Sequence, residues 1–129
     1  MSYVIDSSSI YKAIIEKKAN VLGGNYTISL AKFELGNIIW KEVFLRKKIL
    51  QNEGISLLNL IVNILDTMCF KQVNIIEAEK LAILKGITFY DASYLWLAKE
   101  LNIPLVSEDE KLKNKIDGEI ETLSLDNIL

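Results

Sequence analysis

Apolar residues in this chain fall into short continuous blocks that alternate with longer stretches of helical spacing. Tyr3, Val4 and Ile5 make the first block, a strand over 3–6 that ends in an acid, Asp6. Ser7, Ser8 and Ser9 follow as N-caps for a helix over about 10–18. Gly23-Gly24-Asn25 signals a turn, "YTIS" at 26–29 a second strand, and Ser29 the cap of the next helix. The helix expected over 30–50 carries apolar side chains around nearly its whole circumference, from Leu30 and Phe33 to Trp40 and Phe44. Such a helix is buried on most sides or packs on a partner. Glu34, Asn37 and Lys41 nevertheless share one narrow stripe of it, by i, i+3, i+7 spacing.

Asn52-Glu53-Gly54 reads as a turn before a second apolar helix over 56–66. A third strand is expected near 68–73, and Asn74 with Glu77 as a capping pair for a helix through Leu84 that Lys85-Gly86 ends. A helix over 90–101, a buried strand over 103–107, a short helix over 111–116 and a last strand over 120–125 complete the chain. Strands alternating with helices, without hairpin turns, predict a single α/β domain over 1–129 with a mainly parallel sheet. Sites in such sheets lie beyond the carboxyl ends of strands.

Composition narrows the chemistry. Half of the residues are hydrophobic and a quarter charged, as in a folded globular protein. There is no histidine, which removes Ser-His-Asp triads and His-ligated zinc, and Arg46 is the one arginine. Cys69 has no disulfide partner and, between Met68 and Phe70, is expected to be buried and inert. No targeting segment is visible, and the most apolar run, 57–65, is short and carries two asparagines, so a soluble cytoplasmic protein is expected, with no membrane association. A net charge of −2 gives no bulk signature of nucleic-acid binding.

Carboxylates, hydroxyls and lysines remain. Asp6 stands at the end of the first strand; it is either a helix cap, for which three serines also serve, or a site residue. Glu34 lies within an apolar helix, either paired with Lys41 or held for function, with Asn37 placed to orient it. Asp91 opens the helix over 90–101, where the helix dipole alone accounts for an acid. In "SEDE", 107–110, an extended chain puts Ser107 and Asp109 on one side and Glu108 and Glu110 on the other, facing solvent and replaceable. Converging acids without histidine or arginine repel one another unless a cation neutralises them. A hard divalent ion such as Mg²⁺ or Mn²⁺, active on phosphodiesters, suits such a set.

The blocks "YVIDSSSI", "AKFELGNIIWK", "TFYDASYLWLA" and "IPLVSEDEKL" resemble the PIN domain, in particular the VapC-type toxins of toxin–antitoxin pairs, over nearly the entire chain. The resemblance implies a three-layer α/β/α sandwich with a five-stranded parallel sheet and a Mg²⁺- or Mn²⁺-dependent endoribonuclease. It places the family's acids, as catalytic and metal-binding residues, on Asp6, Glu34, Asp91 and Asp109, and its hydroxyls on Ser7 and Ser107, positions where threonine is commoner in the family. It further implies an RNA substrate, a homodimer and a small VapB-like antitoxin, for which the helices over 30–50 and 56–66 would supply interfaces. Lys41, Lys12 or the Arg46-Lys47-Lys48 run would receive the strand, and Tyr90 and Tyr94 either stack on bases or belong to the core. A receiver domain would need a second acid beside Asp6, and a HAD-type phosphatase an Asp at position 8; Ser7 and Ser8 stand there instead. A non-catalytic α/β binding module, or a PIN nuclease outside a toxin–antitoxin pair, remains as the alternative.

Overall fold

The structure is a computed structural model describing residues 1–129. Five very short strands form one sheet: β1 (Val4–Ile5), β2 (Tyr26–Thr27), β3 (Cys69–Phe70), β4 (Leu105–Val106) and β5 (Thr122–Leu123). Their spatial order is β3-β2-β1-β4-β5, and every neighbouring pair is parallel. Parallel neighbours require crossovers, which helices supply here. These are α1 (Ser7–Ile15), α2 (Leu30–Trp40), α3 (Gln51–Leu65), α4 (Ile75–Lys85), α5 (Phe89–Leu101) and α6 (Glu110–Lys115). Successive residues of a strand face opposite sides, and Val4, Ile5, Leu105 and Val106 are all fully buried. Both faces of the central strands are therefore covered, giving the expected α/β/α layering.

The order of the strands fixes where a site can form. From β1 the chain winds outward through β2 to β3, then returns to the other flank as β4 and β5. The helices leaving β1 and β4 diverge, so a crevice opens between the carboxyl ends of these two strands. The backbone locks the strands side by side there: Asp6 N donates to Val106 O at 3.1 Å, and Ser107 N to Leu123 O at 3.0 Å. The buried Thr27 hydroxyl adds a tie, donating to Ile5 O at 3.0 Å.

Several boundaries differ from expectation for local physical reasons. The helix expected over 30–50 ends at Trp40, continues as one π-helical turn over Lys41–Leu45, and breaks where Lys47 takes φ 52°. α3 then starts at Gln51, so Gly54 lies within a helix and not in a turn. Gly54 is buried, and a Cβ there would sit 2.6 Å from Val43 Cγ2. Its role is close packing of α3 on the π-helical turn. The circumference of α2 is not buried on most sides: Phe33 is 74% exposed, and Trp40 and Phe44 also face outward. Cys69 is exposed and not buried. Ser29 makes no capping hydrogen bond, whereas Asn74 caps α4 and Gly86 closes it with φ 65°. No helix is long and apolar enough to cross a membrane.

Candidate active site

The end of β1 and the start of α1 are joined by a single residue, and that residue is Asp6. Its side chain, and not a serine, caps α1: Ser9 N donates to Asp6 Oδ1 at 3.1 Å and Ser8 Oγ donates to the same oxygen at 2.6 Å. Asp6 is only 7% exposed. Its carboxyl is raised from 3.8 to about 6: burial pushes it up most and the charge of Glu34 adds to that, against the Ser107 and Ser8 hydroxyls and the Ser9 N–H. Of the two readings posed, capping is what the structure shows, and it leaves Asp6 at the crevice.

Three more acids stand in sequence from Asp6. Glu34, half-buried on α2, accepts from the Tyr94 hydroxyl at 2.7 Å. Burial raises its pKa, the Tyr94 and Ser7 hydroxyls oppose the rise, and Asp91 adds to it. Asp91 is half-buried at the start of α5, where its backbone N–H donates to the Thr88 cap at 3.1 Å. Burial raises the Asp91 carboxyl and Asp109 raises it further, against the Thr88 hydroxyl and the Lys115 charge. Asp109 is exposed and caps α6, accepting from Leu112 N at 3.1 Å. Ser107 is fully buried and its Oγ accepts from Asp109 N at 3.1 Å. The result is a row, Asp6 to Glu34 to Asp91 to Asp109, in which each acid feels the next.

Convergence of the four acids on one point was expected; a row is what forms. No three acidic side chains stand close enough together to hold a metal ion in this arrangement. The donor chemistry, carboxylates and hydroxyls only, with burial and like charge raising the pKa of Asp6, Glu34 and Asp91, suits a hard cation.

Other sequence-expected residues lie elsewhere. Asn37 and Lys41 are exposed, and neither hydrogen-bonds Glu34; Tyr94 orients it instead. Tyr94 itself is 2% exposed, so it is a buried partner of Glu34 and not a base-stacking residue; burial and the Glu34 charge raise its pKa. Lys12 is engaged with Glu108 at 3.2 Å and Asp126 at 3.4 Å, and is not free for a strand. Arg46 pairs with Glu42 at 2.5 Å.

Glu108 is the largest correction. It was assigned to solvent, yet it accepts from Ser9 Oγ at 2.5 Å, Leu125 N at 2.9 Å and Lys12 Nζ at 3.2 Å. Its own N–H donates to Ser8 Oγ at 3.1 Å. Burial pushes its carboxyl up, but the bonds from Ser9, Leu125 and Lys12 outweigh it and leave the carboxyl below its ordinary value. Strand alternation failed because β4 ends at Val106, so the chain is already turning at Glu108. Ser8 and Ser9 thus connect Glu108 to Asp6. The signal was the serine run itself, which exceeds what one cap requires.

No family model matches the chain. Over 128 residues it is 27% identical to Exonuclease VapC9 of Pyrobaculum aerophilum, spanning 97% of this chain and 93% of that protein. A P. aerophilum protein of known crystal structure superposes with a TM-score of 0.82 at 23% identity, over 98% of this chain and 94% of the other. VapBC2 of Rickettsia felis, bound to a DNA fragment from its promoter, gives 0.61 at 17% identity over 96% and 98%. A PilT N-terminus domain protein of Sulfolobus solfataricus gives 0.54 at 17% over 100% and 91%. The fold is that of the PIN domain. Within that class, the chain is similar to the VapC-type proteins.

Two substitutions test this geometry. Asp6→Asn keeps the cap but removes a buried charge. Asp6 holds its proton more tightly folded than unfolded, so its ionisation lowers native stability as pH rises from about 3.8 to about 6. Asp6→Asn is therefore expected to stabilise the metal-free protein by ~1–3 kcal/mol above that window and hardly at all below it, by denaturant unfolding at both pH values. Destabilisation at neutral pH would contradict the burial argument. Glu108→Ala is expected to cost ~1–3 kcal/mol in the same assay, against less than ~0.5 for the exposed Glu110→Gln. Equal effects would return Glu108 to the solvent.

Proposed function

We propose that the protein is a Mg²⁺- or Mn²⁺-dependent endoribonuclease, the toxin half of a VapBC-type toxin–antitoxin pair acting in the cytoplasm. One observation carries this reading: a row of four carboxylates along the carboxyl edge of the sheet, its inner end buried and resisting ionisation. A row of acids with no arginine or histidine beside it calls for a cation and an anionic substrate that shares it. Similarity to a protein named as a VapC exonuclease supports phosphodiester hydrolysis.

A bound divalent ion would supply charge neutralisation and Lewis acidity toward a phosphate oxygen. Asp6, Asp91 and Asp109 would hold it, with Glu34 as a further ligand or in the outer shell, and the row would have to draw together to do so. This chain's residues provide the rest. Asp6 is fixed through Oδ1 by Ser8 and Ser9, which sets the direction of its carboxylate. Glu34, half-buried with its pKa raised, is suited to take the proton of an attacking water, and the Tyr94 hydroxyl holds it in place. Ser7, near both Glu34 and Tyr94, and Ser107, near Asp6, tune the acids by hydrogen bonding. The exposed end at Asp109 leaves the row open to an internal phosphodiester. Of the proposed strand-binding lysines, the exposed Lys41 remains available.

For partners, the outer face of α2 and the π-helical turn after it offers Phe33, Trp40 and Phe44, the last two stacked with ring centroids 5.4 Å apart. This open apolar face suits a homodimer or a VapB-like antitoxin, and similarity to the VapBC2 complex of R. felis supports a partner of the second kind.

A circular single-stranded RNA separates endonucleolytic from exonucleolytic action. Wild type with Mn²⁺ is expected to linearise it, and chelation to stop the reaction. Asp6→Asn and Asp91→Asn should each reduce the rate by ~10²-fold or more. Equal rates in wild type and variants would overturn the nuclease reading and leave a binding module; cleavage of linear RNA alone would make the enzyme an exonuclease.

A further inference from the structure

The two helices that carry the middle acids of the row, Glu34 and Asp91, also wall a second concavity. Beyond Glu34 and Asp91, over the carboxyl ends of β2 and β3, lies an open cleft of about 420 Å³. One wall is the start of α2 with Ser29 and Leu30, and the opposite wall is the start of α5 with Phe89, Tyr90 and Ser93. The loop between β3 and α4 closes the far end with Lys71, Gln72 and Val73. The two long walls therefore belong to the helices that carry Glu34 and Asp91, and Tyr90 is the immediate chain neighbour of Asp91.

The lining has the character of a nucleotide's complement. Tyr90 is 57% exposed, and an edge-on contact with Phe89 at 6.2 Å sets its ring plane. A flat aromatic face beside apolar walls suits a stacked base. Gln72 and Ser29 both line the cleft; Gln72 makes no side-chain hydrogen bond within the chain and the Ser29 hydroxyl leaves its helix uncapped, so an amide and a hydroxyl are available to a ring edge. Lys71, held 5.8 Å from the Tyr26 ring, is the cation on this wall for a phosphate.

We propose that this cleft is a nucleobase subsite, taking one unpaired base of the RNA strand next to the phosphodiester at the acid row. Tyr90 stacks on the base, Gln72 and Ser29 contact its edge, and Lys71 contacts its phosphate. A base inside a duplex cannot offer its face to Tyr90, so only an unpaired base can occupy the subsite. The inference rests on the ribonuclease reading but is tested by binding, which does not require cleavage. In an Asp6→Asn background, affinity for a short fluorescein-labelled single-stranded RNA is measured by anisotropy. Tyr90→Ala is expected to weaken binding about tenfold, with Tyr90→Phe restoring it to within about twofold, because the stacking face returns. Gln72→Ala should change the relative affinity for oligomers differing in one base. Wild-type affinity in both Tyr90→Ala and Gln72→Ala would overturn the subsite even if the protein cleaves RNA. Unchanged RNA binding with weakened binding of a protein partner would reassign the cleft to that partner. Loss of cleavage by wild type alongside a Tyr90-dependent affinity would remove the nuclease reading and keep the subsite.

Discussion

A carboxylate placed in the interior, where β1 gives way to α1 with no intervening residue, sets the terms for the surrounding structure. Burying Asp6 disfavours its charge, and Glu34 makes ionisation harder still. The protein answers with hydrogen bonds: Ser8 and Ser9 on one side, and the buried Ser107 beside it. Those serines are themselves held by Glu108, which draws together α1, the turn after β4 and the C-terminal segment at Leu125. Asp6 thus connects strand end, helix cap and site in one side chain. An arrangement that keeps like charges near one another in a dry place opposes stability locally, as functional sites commonly do.

The two central strands supply the frame for this. Because β1 and β4 are neighbours while their helices diverge, Asp6 and Ser107 reach the same crevice from positions about a hundred residues apart in the chain. Hydroxyl groups, and not arginines, surround the acids, so the site stays anionic until something else enters it. The apolar cleft beside the row and the apolar face of α2 lie on different parts of the molecule, one at the sheet's carboxyl edge and one on a helix exterior. The proposed substrate cleft and the proposed partner face are therefore separate surfaces.

Much of this was legible in the sequence because it is local. Strand blocks ending in acids, the Asn74 cap and the glycine after Lys85 are read from adjacent residues, and the structure places them accordingly. What was missed depends on three dimensions. Gly54 looked like a turn because glycine usually is one; only the approach of α3 to the π-helical turn shows that a side chain would collide. Glu108 looked like solvent-facing charge because alternation was extended past the point where β4 stops. Tyr94 reads as core by composition, and its hydroxyl contact with Glu34 spans sixty residues. Asn37 failed for the opposite reason: a shared helix stripe gives proximity along the surface, and its neighbour turned inward while it did not.

The central claim is that the row of acids is unfavourable alone and is completed by a divalent cation. The direct measurement is thermal unfolding of wild type and Asp6→Asn at neutral pH, with and without Mn²⁺. The account predicts that saturating Mn²⁺ raises the Tm of wild type by ~4 °C or more and that of Asp6→Asn far less, since the variant has lost the buried ligand. Equal shifts in both proteins, or none in wild type, would contradict it.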